Sequence, residues 1–133
     1  MRVAIVGSRD YPDLSTVRTY INTLLRSDDV VISGGARGVD SAAVQYAQKR
    51  GLSVEVYPAD WDRHGKAAGF IRNQTIVDNA DYVVAFCDGR SRGTMDTVNK
   101  AQAKGLPYEV VMPAHRSYDV PFEPEEIVTA VWQ

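Results

Sequence analysis

Cysteine is nearly absent: the chain of 133 residues holds one, Cys87. One thiol makes neither an internal disulfide nor a CxxC metal site, which excludes a disulfide scaffold and a zinc finger and suits a reducing, cytoplasmic setting. Long apolar runs are missing too. None approaches the roughly 18 residues of a membrane helix, so no membrane partner is expected. The opening MRVAIVGSRD carries an apolar run too short for the core of a signal peptide and reads as a first strand. Charge of one sign is also lacking, with 15 Lys and Arg against 17 Asp and Glu and a formal net charge of −2. A protein that coats nucleic acid carries a large basic excess, so composition does not point to nucleic acid as the partner. There is no GxxxxGK[ST] sequence, which removes triphosphate hydrolysis of the Walker type. Repeats, low-complexity tracts and linkers are missing as well. No metal and no cofactor are expected.

What remains is an ordinary soluble composition, 44% apolar and 24% charged. A chain of this length buries roughly two-thirds of its unfolded surface, and residues 1–133 are read as one domain. Short apolar runs at 3–6, 30–33, 54–57, 82–86 and 108–112 are rich in β-branched and aromatic residues, as strands buried on both faces should be. Between the first two, Val17, Tyr20, Ile21, Leu24 and Leu25 share one helical face; Val39, Ala42, Ala43, Tyr46 and Ala47 repeat the spacing. Gly51 is placed to stop that second helix, and Gly105 with Pro107 to stop a later one. The tail PFEPEEIVTAV has the proline and acids of a helix start. Segments 58–65 and 113–121 read as irregular. Alternating strands and helices predict an α/β fold: a single doubly wound, Rossmann-like domain with a mostly parallel five-stranded sheet and helices on both faces.

Open α/β sheets bind ligands beyond the carboxyl ends of their strands. The first strand runs into Gly7-Ser8-Arg9-Asp10, the second into Gly34-Gly35-Ala36-Arg37-Gly38-Val39-Asp40, and the fourth into Asp88-Gly89-Arg90-Ser91-Arg92-Gly93-Thr94. The third feeds Trp61-Asp62-Arg63-His64-Gly65-Lys66-Ala67-Ala68-Gly69. These regions hold Arg9, Arg37, Arg63, Lys66, Arg72, Arg90 and Arg92, seven of the fifteen cations, so the ligand edge is expected to be electropositive. Gly35, Gly38 and Gly93 suit turns that let backbone amides approach a phosphate. On this reading phosphate contacts Gly35, Arg37, Gly38, Gly93 and Thr94, with Ser8 and Arg9 on one side and Lys66 and Arg72 on the other. Trp61 either stacks a base or plugs its loop, and His64 either contacts ligand or shapes the loop. Arg63, Arg90 and Arg92 either join the site or stay solvated, and Ser8 and Thr94 are better placed than Ser91.

The segments VAIVGSRDY, SGGARGVDSAA, PADWDRHGKAAGFIRNQ and VVAFCDGRSRGTMDTV, in this order, resemble the SLOG superfamily, the Rossmann-like group that includes the DNA-processing protein DprA and the LOG phosphoribohydrolases. The similarity is greatest to its small stand-alone YspA-like members. The resemblance implies a pocket for a nucleotide or nucleotide-derived ligand near the GGARG and RGT loops, with Gly7, Gly34 and Asn73 added to the contacts above. It implies a sensing module, or alternatively an N-glycosidase acting on nucleoside 5′-monophosphates, or single-stranded DNA binding of the DprA type. A homodimer is implied by the pairing of LOG relatives. LOG enzymes use an arginine before the fourth strand and a glutamate in PGGxGTxxE; Arg72 matches the first, whereas Thr97 stands at the second and Asp96 is the nearest carboxylate. One residue turns a helical side chain by about 100°, so Asp96 need not face the same point. Asp40 and Asp96 are the candidate acids for stabilising oxocarbenium character or binding ribose hydroxyls, unless they only favour their helix dipoles.

Overall fold

The structure, a computed structural model, describes residues 1–113; the expected tail helix, segment 114–121 and His115 and Arg116 lie outside the described residues. Five strands, β1 (Arg2–Gly7), β2 (Val30–Ser33), β3 (Ser53–Val56), β4 (Tyr82–Phe86) and β5 (Tyr108–Val111), form one sheet in the order β3-β2-β1-β4-β5. Every pairing is parallel. Helices α1 (Ser15–Leu24), α2 (Val39–Lys49), α3 (Trp61–His64), α4 (Ala68–Asp78) and α5 (Arg92–Lys104) occupy the connections. The doubly wound α/β reading holds.

The period of two along β1 explains the three layers. Val3 and Ile5 face one way, onto Val17 and Ile21 of α1 and Val39, Ala43 and Ala47 of α2. Ala4 and Val6 face the other, onto Ile76 and Val77 of α4 and Val98 and Ala101 of α5. Phe86 is fully buried, with Tyr11 and Tyr20 edge-on at centroid distances of 5.7 and 6.0 Å. Gly7 lets α2 seat tightly: a Cβ there would lie 2.6 Å from both the Phe86 carbonyl oxygen and Val39 Cβ. Gly51 and Gly105 take positive φ just past α2 and α5, as helix stops do.

Three local expectations need correction. Strand β3 is not buried on both faces; it lies at the sheet edge with a single paired neighbour, and Val56 is 43% exposed. Leu24 leaves the buried face of α1 because the helix ends there, and Leu25 turns into the core instead. The segment after β3 is not irregular throughout. Asp60 accepts from the Arg63 amide at 3.1 Å and starts α3, and a 3₁₀ turn over Gly65–Ala67 leads into α4.

Candidate functional site

Strand order reverses its direction of growth at β1, so the connections leaving β1 and β4 diverge to opposite faces and open a crevice above their carboxyl ends. A cleft of about 660 Å³ lies there, lined by the β1 loop, the start of α2, one side of α4 and the β4–α5 turn. Its charged lining is Arg9, Arg72 and Arg90 with Asp10, Asp40 and Asp88.

The β4–α5 wall is built by Asp88 and Ser91. The Asp88 carboxylate accepts from the amides of Arg90 (2.8 Å) and Ser91 (3.2 Å), and the Asp88 amide donates to Ser8 Oγ at 3.0 Å. The Arg90 amide, chiefly, holds the Asp88 carboxyl below its ordinary pKa. Ser91 caps α5: its hydroxyl accepts from the Thr94 amide at 3.2 Å and lies 2.7 Å from Thr94 Oγ1. Gly93 sits in the first turn with open space where a Cβ would stand, and its amide makes no hydrogen bond among the described residues. A helix amino end with two hydroxyls, an unpaired amide and Arg90 beside it suits an anion.

The opposite wall centres on Asp40, which is only 5% exposed. Its Oδ2 accepts weakly from the Ala36 amide at 3.4 Å, and Oδ1 has no hydrogen-bond partner. Burial pushes its carboxyl up to about 6, against the opposing pull of Arg72, the Ala36 and Gly7 amides and Arg9. Arg72 reaches over from α4, donating from Nη1 to the Gly34 carbonyl at 2.7 Å and from Nε to Asn73 Oδ1 at 3.1 Å. Gly34 leaves room for both side chains: a Cβ there would stand 2.6 Å from Arg72 Nη1 and 2.8 Å from Asp40 Oδ2, so both would have to shift.

Gly7, Ser8, Arg9, Asp40, Arg72, Asn73, Gly93 and Thr94, all singled out in the sequence, meet in this cleft. Others do not line it. Arg37 is exposed and pairs with Asp10 at 3.5 Å. The Gly35 amide is taken by Ser33 Oγ at 3.1 Å. Gly38 answers a steric need, since a Cβ on it would meet the Arg9 carbonyl oxygen at 2.4 Å. Lys66, His64 and Trp61 lie in α3 and the 3₁₀ turn and are not among the lining residues; Trp61 is 54% exposed. Asp96 is also outside the lining: both its oxygens lie 2.6 Å from Lys100 Nζ, and Oδ2 accepts from Asn73 Nδ2 at 3.0 Å. Thr97 lines the cleft instead, with its hydroxyl donating to the Gly93 carbonyl at 3.2 Å. Sequence reasoning underrated Ser91, Arg90 and Asp88. The spacing Ser91-x-x-Thr94 before a helical run was the legible cap signal.

Among the described residues no group of three or more His, Cys, Asp or Glu side chains is placed to hold a metal ion. No described helix is long and apolar enough to cross a membrane.

The parallel sheet, its order and the crevice at the switch point define a Rossmann-like α/β protein. A sequence model of the YspA, cpYpsA-related SLOG family matches residues 1–64. The Gene 61 protein of Mycobacterium phage D29 is 41% identical over 115 residues, covering 80% of this chain and 92% of the phage protein. The chain belongs to this SLOG family. Two solved structures share the fold. DprA from Streptococcus pneumoniae superposes with a TM-score of 0.72 at 22% identity over 89% of this chain and 52% of DprA. DprA from Helicobacter pylori, described with a single-stranded DNA binding mode, gives 0.63 at 22% identity over 87% of this chain and 66% of its own. The chain thus spans about half the length of the first.

Proposed function

We propose that the chain, read as one domain over residues 1–133, binds a nucleotide or nucleotide-derived ligand in the switch-point cleft as a sensing module. The amino end of α5 carries this reading: Ser91, Gly93 and Thr94 line the cleft together with Arg90 and Arg9. Hydrogen bonds to charged groups contribute roughly 1.5–3 kcal/mol each, more than the ~0.3–1 kcal/mol of a helix dipole, so amides, hydroxyls and arginines dominate anion affinity. Titration with nucleoside 5′-monophosphates and ADP-ribose, followed by NMR, tests it. Arg90→Ala should weaken binding about tenfold or more, whereas Arg37→Ala, outside the cleft, should change it less than about twofold, as exposed charges do. Equal effects of the two would remove the α5 assignment.

Binding is favoured over N-glycosidic hydrolysis because Thr97 lines the cleft at the position of the LOG glutamate, while Asp96 is engaged by Lys100 and Asn73. The same NMR spectra would reveal turnover as free base. Single-stranded DNA binding is the reading suggested by the DprA neighbours. Its test is an oligonucleotide titration across salt concentrations, where phosphate contacts give a steep loss of affinity.

Pairing of two chains is proposed through α4 and α5, which leave Phe70, Ile71 and Met95 50%, 43% and 38% exposed. Light scattering should give twice the chain mass, and Ile71→Glu should return it to the single-chain value.

A further inference from the structure

Among the described residues, Asp40 is the buried cleft acid whose carboxylate is left incomplete. It is 5% exposed, lines the cleft, and has an Oδ1 with no hydrogen-bond partner. Its other oxygen has the long 3.4 Å contact from Ala36, and the Gly7 amide also favours the carboxylate. A buried carboxylate oxygen without a donor is unfavourable, and folded proteins rarely keep one unless something bound supplies the donor. The fold maintains this arrangement by structure: Gly34 leaves room for both the Arg72 guanidinium and Asp40 Oδ2, and Arg72 is fixed by the Gly34 carbonyl and Asn73.

The chemistry of the missing donor follows from these neighbours. Arg72 and Arg9 already oppose the Asp40 charge, so a cationic ligand group would meet like charge there. A neutral donor has no such penalty. A hydroxyl is the neutral donor that a sugar phosphate presents, and Asp40 lines the same cleft as the amino end of α5.

We infer that Asp40 Oδ1 accepts a hydrogen bond from a hydroxyl of the ligand's pentose, so that the cleft selects ribosyl over deoxyribosyl phosphates. This rests on the proposal that phosphate binds at α5. Asp40 is a specificity residue here, and no bond is made or broken.

The test is a set of NMR titrations with inorganic phosphate, ribose 5-phosphate and its 2-deoxy and 3-deoxy analogues. The wild-type chain should bind ribose 5-phosphate about tenfold or more tightly than at least one deoxy analogue. Asp40→Ala, which removes the acceptor, with folding checked by amide dispersion, should bring the three sugar phosphates within about twofold of one another. Equal wild-type affinities for all three would overturn the inference and leave the phosphate site standing, as would discrimination that survives in Asp40→Ala. Phosphate binding without sugar phosphate binding would do the same. No binding of any of the four would overturn both. The wild-type comparison decides the matter even if the variant does not fold.

Discussion

Gly38→Ala is expected to destabilise the fold by about 3 kcal/mol, a large share of the roughly 5–15 kcal/mol that holds a domain of this kind. Gly38 adopts φ 80° and ψ −126° at the amino end of α2, a region nearly closed to residues with a Cβ and worth about 1–3 kcal/mol of strain. The added methyl would also stand 2.4 Å from the Arg9 carbonyl oxygen and 2.8 Å from Arg9 C and Cα. Backbone cannot swing aside as a side-chain tip can, so overpacking adds a further ~1–3 kcal/mol. Urea unfolding should show a lowered midpoint with an unchanged slope. Gly93→Ala is the internal comparison. It has open space around the new methyl and gains helix propensity, up to about 1 kcal/mol in a helix interior and less at the first turn. A Gly38→Ala protein as stable as the wild type would refute the close approach of the β1 loop to α2.

The second large effect is a pH dependence carried by Asp40. Its carboxyl is raised from 3.8 to about 6, first by burial. A group whose protonated form is preferred in the folded state adds nothing unfavourable below the unfolded pKa, where both states hold the proton. Between pH 4 and 6 the unfolded chain releases that proton first, and stability falls as pH rises. Above the folded pKa the full penalty applies, about 3 kcal/mol for a shift of this size. Asp40→Asn carries no charge to bury. The stability of Asp40→Asn relative to wild type should therefore improve by about 3 kcal/mol between pH 4 and pH 8. Taking the difference between the two proteins cancels the titration of the remaining carboxylates. Parallel stability curves for the two proteins would show that Asp40 is solvated. At neutral pH the native chain thus keeps a charge that its own fold disfavours.

Periodicity and punctuation made the framework legible. Runs of β-branched residues placed all five strands within a residue of their observed ends, because buried parallel strands have little other way to be written. Gly51 and Gly105 marked two helix stops for the same local reason. Position relative to the strand ends carried Ser8, Arg9, Asp40 and Thr94 into the cleft, and the resemblance to LOG proteins pointed to Arg72. The failures were of direction. Arg37 shares a loop with Gly34 and Ala36, yet it pairs with Asp10 and does not itself line the cleft. Asp96 and Thr97 are adjacent, and the helical turn between them sends one to Lys100 and the other to the cleft. Lys66 was drawn to the site by reading its segment as a loop, whereas for His64 and Trp61 the sequence left open a role in shaping or plugging that loop. The Asp60 cap made it a helical turn instead. The sequence names the side chains, but which way some of them point depends on neighbours far along the chain, such as Gly34 for Arg72.

The β1–β4 ladder pairs Val3 with Tyr82 and Gly7 with Phe86. The walls of the cleft meet along that seam, one contributed by chain before residue 41 and the other by chain after residue 71. During synthesis from the amino end, β1 and β2 can pair early, but the pocket has no second wall until β4 and α5 have emerged. Contacts of such long sequence separation form late and slowly. A ligand held by both walls would therefore bind only a chain finished at least through α5, and would act as a clasp on it, slowing the separation of β1 from β4 without touching the earlier steps of folding.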